Sequence, residues 1–104
     1  MQKPILSKKA KIRKDLEGYI LYYPGTGLIL LNTTAYEIVS KCNGNYTFDE
    51  IISFISKKYG VQIEVVYKDV KAFFINLEQL NILTYTHDYS LPNANRKVDN
   101  SSIQ

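Results

Sequence analysis

The stretch Gly27–Val39, G-L-I-L-L-N-T-T-A-Y-E-I-V, changes its hydrophobic period midway, and no other feature constrains the fold as tightly. Leu28, Ile29, Leu30 and Leu31 form a continuous apolar run between Gly27 and Asn32, with the length and β-branched content of a strand. From Thr34 the spacing turns helical. Thr34 and Glu37 have the S/T-x-x-E separation in which hydroxyl and carboxylate each satisfy a backbone N–H at a helix start, and Ala35, Ile38 and Val39 follow at helical steps. A strand therefore runs almost directly into a helix. A strand apolar at every position has two faces to hide, and one layer of helices covers only one of them. Something else must cover the remainder.

Composition restricts what that something can be. A chain of 104 residues, 45% hydrophobic and 22% charged, makes one domain with a modest core. The single cysteine, Cys42, excludes an internal disulfide and the multi-cysteine sets that hold structural zinc or iron–sulfur clusters, and it points to the cytoplasm. No apolar run is long enough for a signal peptide or a membrane span, so no membrane partner is expected. The net charge of +3 owes much to Lys3, Lys8, Lys9, Lys11, Arg13 and Lys14, which read as a solvated basic arm.

Taken in order, residues 1–9 are expected to be a flexible basic arm, residues 10–85 the folded domain, and residues 86–104 a disordered polar tail without hydrophobic period. Lys11–Lys14 suits a short strand and Asp15–Gly18 a turn. Tyr19–Tyr23 is a stronger strand, and Pro24-Gly25-Thr26-Gly27 is a tight connection to the strand at Leu28. A first helix is predicted from about Thr33 to Lys41, ending near Asn43-Gly44. Thr47 and Glu50 form a second capping box, opening a helix whose apolar stripe ends at Gly60. A third helix, about Glu64 to Leu80, carries Val66, Val70, Phe73, Phe74, Leu77 and Leu80 at steps of three and four, with Asn81 as a left-handed cap and Leu83–Tyr85 extended beyond it. The result is an α+β, winged-helix-like domain: an N-terminal three-stranded antiparallel β-meander followed by three α-helices.

Catalytic groups are scarce. His87 is the only histidine and stands at the start of the tail; Cys42, with no histidine beside it in sequence, reads as a small packing hydrophobe rather than a nucleophile. Gly25-Thr26-Gly27 lacks the third glycine and the following helix of a phosphate loop. Asp49 and Glu50 complement the dipole of a helix start. Tyr19, Tyr22 and Tyr23 are explained by strand propensity. No enzyme activity, metal or cofactor is expected.

The runs L-L-N-T-T-A-Y-E-I-V-S-K-C-N-G-N-Y-T-F-D-E-I-I (Leu30–Ile52) and K-D-V-K-A-F-F-I-N-L-E-Q-L-N-I-L (Lys68–Leu83) resemble the PqqD family, the free-standing form of the RiPP recognition element. Asn81 replaces the glycine usual in that family after the last helix. The resemblance implies a peptide chaperone that captures the leader of a ribosomally synthesised precursor and presents it to a modifying enzyme, such as a radical-SAM protein, a cyclase or a leader protease. It also implies the binding mode: the leader adds an antiparallel strand at Leu28, Ile29, Leu30 and Leu31 and lies against the third helix. That agrees with the liability of an apolar edge strand that has no partner. Either Ile29 and Leu31 or Leu28 and Leu30 face the helices, and the other pair borders the peptide. Asp69, Ala72, Phe73 and Asn76 are the favoured flank of the last helix; Tyr67, Lys71, Phe74 and Glu78 are the other.

Two alternatives follow from the same residues. A winged-helix nucleic-acid binder would use the helix-turn-helix and the basic balance, but its recognition helix carries Glu64, Asp69 and Glu78 against Lys68 and Lys71, a poor surface for phosphates. A homodimer could form by pairing two such edge strands.

Overall fold

Five strands and three helices make up the part of the chain described in the computed structural model, residues 2–86. In order they are β1 (Lys3–Leu6), β2 (Lys11–Asp15), β3 (Gly18–Tyr23), β4 (Gly27–Leu31), α1 (Thr33–Ser40), α2 (Phe48–Tyr59), α3 (Ile63–Gln79) and β5 (Leu83–Thr86). The predicted meander is present as an antiparallel sheet in the order β2-β3-β4. Its register sets Tyr22 opposite Leu28 and Tyr19 opposite Leu31. Gly25 and Gly27, with φ of 86° and 92°, supply the backbone conformation that closes the β3–β4 connection. At Gly18 a Cβ would stand 2.6 Å from the Leu31 carbonyl oxygen, so glycine lets the start of β3 approach the β4–α1 junction.

One face of this sheet meets the helices. Leu21 and Leu31 are buried with Ile38 and Val39 of α1, Ile51 of α2 and Phe74 of α3. Tyr19 stacks on Tyr36 of α1 with ring centroids 3.8 Å apart, fixing α1 against the same face. Helix ends follow the chemistry read from the sequence in two places. Thr47 and Glu50 form both hydrogen bonds of the capping box, and Asn81 takes the left-handed conformation, φ 63°, after α3. Immediately beyond Asn81, Ile82 and Leu83 are buried.

The structure corrects the sequence reading three times. Residues 3–6 are not a flexible arm: β1 pairs antiparallel with β5, with Pro4 opposite Tyr85. On its other side β1 meets the α1–α2 connection, where Leu6 N–H donates to the Cys42 carbonyl at 2.8 Å and Gly44 N–H to the Pro4 carbonyl at 3.0 Å. The domain therefore begins before residue 10. K-P-I-L has no alternating pattern, and its main partner lies at the far end of the domain, so no local signal marks it. The second correction concerns α1, whose cap is Asn32 rather than Thr34. The Asn32 side chain accepts from Ala35 N–H at 2.7 Å, while Glu37 turns away to α2. The third concerns the start of the tail expected over residues 86–104: Thr86 is the last residue of β5, opposite Lys3, and the remainder from His87 onward lies outside the described residues.

Because Pro4 is buried and Leu6 packs on the core, removing residues 1–7 should lower unfolding stability by on the order of 3 kcal/mol, the worth of one or two buried apolar side chains. Urea unfolding of the truncated chain measures this; an unchanged midpoint would contradict the structural role of β1.

Candidate functional site

Strand β4 is one border of its sheet and β2 the other. Its register pairs every residue from Gly27 to Leu31 with β3, and among the described residues no strand pairs with its other side. Side-chain alternation then divides its apolar run. Leu31 is 3% exposed and Ile29 half-buried, both on the helical side, while Leu28 and Leu30 are 62% and 78% exposed on the opposite face. Of the two arrangements open to the sequence, the structure takes the one with Ile29 and Leu31 inward. What β4 presents at its rim is main chain, with Ile29 at one side and two exposed leucines at the other.

Helix α3 packs chiefly on α2 and β5, whereas β4 packs on β3 and α1. Between the three helices, Thr34 and Ile38 of α1, Tyr59 of α2, and Val66, Asp69 and Val70 of α3 contribute to an apolar hollow of about 270 Å³. Asp69 is the only charged group lining it. The structure thus brings Asp69 together with Thr34 of the first turn of α1. Ala72 and Asn76 are exposed, and Phe73 is half-buried against the core.

The opposite flank of α3 is occupied. Tyr67 meets Phe48 of α2 edge-on at 5.5 Å, and Glu78 accepts a 2.7 Å hydrogen bond from Tyr85 of β5. Phe74, grouped with that flank by spacing, is a core residue at 1% exposure. Sequence reasoning missed Thr34 and Tyr59 as lining residues. Val66 and Val70, one helical turn apart with Asp69 beside Val70, were the available signal for the hollow.

A polar clamp holds α1 to α2. Glu37 accepts hydrogen bonds from Lys58 and from Tyr59, which also lines the hollow. The bond from Lys58, then that from Tyr59, keeps the Glu37 carboxyl below its ordinary pKa of 4.5. The same contact holds the Lys58 ammonium above its ordinary 10.5. Cys42 is different: burial pushes its thiol up to about 12, and the thiol donates only to the Ile38 carbonyl at 3.4 Å. A thiol held protonated in this way is a poor nucleophile at neutral pH. Among the described residues no cluster of His, Cys, Asp or Glu could hold a metal ion. No described helix is long and apolar enough to cross a membrane.

A three-stranded meander leading from its edge strand into three helices, with an apolar hollow between those helices, is a small winged-helix-like α+β domain. Residues 18–83 match the family described as "Coenzyme PQQ synthesis protein D (PqqD)", and the chain belongs to that family. Among curated proteins no sequence match is found. Three solved structures share the fold at low identity. The PqqD truncation of Methylobacterium extorquens PqqCD, a stand-alone RiPP recognition element, superposes with a TM-score of 0.67 at 19% identity, covering 78% of this chain and 87% of that one. Lasso peptide synthetase B1, solved with its leader peptide, gives 0.68 at 19% identity over 79% and 98% of the two chains. TbiB1, solved with the TbiA(beta) leader peptide, gives 0.67 at 21% identity over 81% and 99%.

The clamp has a pH signature. A carboxyl whose folded pKa is depressed stabilises the fold above its ordinary value, and that contribution disappears as pH falls through the folded value. Glu37→Gln should therefore be less stable than the parent at neutral pH, and the gap should close as pH drops below 4.5. Thermal unfolding across the acid range measures it; a constant gap would show that Glu37 acts by packing alone.

Proposed function

We propose that the chain is a non-catalytic peptide chaperone: it takes up the leader segment of a ribosomally synthesised precursor as an additional antiparallel strand on β4 and presents it to a separate modifying enzyme. The single observation that carries this reading is the outer side of the Gly27–Leu31 main chain, which pairs with no strand among the described residues. Such a rim invites strand addition, in which main-chain hydrogen bonds supply affinity and neighbouring pockets select side chains. Membership of the PqqD family supports it, as does the likeness to two recognition domains solved with leader peptides.

In this reading Leu28, Ile29, Leu30 and Leu31 contribute backbone groups. Asp69, Ala72, Phe73 and Asn76 of α3 form the far wall, a choice supported by the engagement of Tyr67 and Glu78 with α2 and β5. The hollow beside Asp69 suits an apolar leader side chain with a cation or amide next to it. The modifying enzyme is a radical-SAM protein, a cyclase or a leader protease acting in the cytoplasm, and this chain adds no cofactor of its own. The rival reading as a nucleic-acid binder finds little support. Helix α3 exposes Glu64, Asp69 and Glu78 alongside Lys68 and Lys71, a mixed surface that phosphates do not favour.

The test is titration of the leader from a precursor encoded beside this gene while following the amides of residues 28–31. A saturable isotherm is expected, with a Kd on the order of micromolar to tens of nanomolar, and with those amides among the most strongly shifted. Absence of saturable binding to any such precursor would overturn the assignment.

A further inference from the structure

A peptide laid along β4 covers the rim of the sheet and leaves its outer face bare. That face is built from two full rungs of the ladder, Lys11–Tyr22–Leu28 and Arg13–Ile20–Leu30, with Asp15 opposite Gly18 at its end, and these side chains point away from the helices. Leu28 and Leu30 are largely exposed, Tyr22 is 47% exposed, and a shallow hollow of about 240 Å³ opens between β2 and β4. Adjacent exposed apolar side chains on one surface cost hydration free energy and commonly mark a protein-binding site.

The charges indicate the chemistry of the partner. Neither rung contains a carboxylate, and among the described residues neither Lys11 nor Arg13 forms a salt bridge. A second copy stacked on this face would gather four cations, Lys11 and Arg13 of each molecule, against the two carboxylates of Asp15, and so leave an excess of positive charge in the interface. A nucleic acid would leave Leu28 and Leu30 facing phosphates. A protein surface with an apolar centre and carboxylates opposite the β2 column satisfies both columns.

We propose that the outer face of the β2-β3-β4 sheet is the docking surface for the modifying enzyme, which meets it with apolar side chains and with carboxylates set against Lys11 and Arg13. The proposal rests on the peptide-chaperone reading for the identity of the partner. It also gives that reading a means of presentation. Side chains of an added strand alternate between the two faces, so every second leader residue would stand beside Leu28 and Leu30 as a further column of the same surface. The enzyme then touches the chain and its cargo together and binds the loaded form more tightly. By thermodynamic reciprocity the enzyme raises leader affinity by the same factor, about five- to 150-fold for typical couplings.

Binding of the full chain to the modifying enzyme encoded beside its gene, with and without the neighbouring precursor's leader, tests this. Lys11→Glu combined with Arg13→Glu, and separately Tyr22→Ser, should each weaken enzyme binding by about tenfold or more, because each removes charge or apolar complementarity at a docking face. Arg13→Lys should retain most of it. Leader binding to the free protein should stay within about twofold of the parent, since the altered side chains lie one or two strands from the rim. Unfolding midpoints of the variants report whether each has folded. Enzyme affinity unchanged in the folded variants, or no affinity of the parent chain for the enzyme, overturns the proposal. A mass in solution that halves in the variants would assign the face to a second copy and overturn it equally. If the leader fails to bind while enzyme binding still depends on Lys11, Arg13 and Tyr22, the docking face stands and the peptide-chaperone reading falls.

Discussion

A strand at the border of a sheet satisfies its backbone N–H and C=O groups by pairing on one side only, and the groups on the other side must find water or another chain. Among the described residues strand β4 is in that position, and its surroundings follow from it. A long edge with exposed apolar side chains is usually blunted by charges, proline or a bulge. Between Gly27 and Leu31 there is none of these. An unguarded rim of five residues is best understood as one kept open for a guest strand.

The rest of the domain holds that rim in place. Leu21 and Leu31 anchor the sheet to the helical core, and Asn32 caps α1 where β4 ends. Glu37 ties α1 to α2 through Lys58 and Tyr59. The outward stagger of Leu28 and Leu30 is the cost of this arrangement, because a strand whose alternate residues serve the core must turn the others to the opposite face. The opening sequence puzzle of an apolar strand with too few covers thus divides into two needs. One is for backbone partners at the rim, and the other is for apolar partners on the outer face. In the proposed function a single leader strand meets the first, and in the proposed docking the modifying enzyme meets the second.

Much of this was legible in the sequence because it is local. The Thr47/Glu50 capping box, the left-handed Asn81 and the Pro24–Gly27 connection each depend on residues within a few positions of one another, and each is realised. The strand β1 was not legible, since its pairing with β5 and the bond from Leu6 to the Cys42 carbonyl join segments distant in sequence. Glu37 misled for a related reason. Its spacing from Thr34 fits a capping box, but Lys58 and Tyr59 compete for the carboxylate, and Asn32 takes over the cap. The split of β4 into inward Ile29 and Leu31 and outward Leu28 and Leu30 could not be read from a run apolar at every position; register and the placement of α1 decide it.

In the proposed function a leader peptide becomes the next strand of the sheet. The most direct measurement is a set of nuclear Overhauser contacts between an isotopically labelled leader and the chain. Cross-strand contacts between α-protons and amides of the leader and those of residues 27–31, in antiparallel order, are the predicted result. Contacts confined to α3 or to the outer face, with the β4 amides exchanging as freely as in the unbound protein, would contradict it.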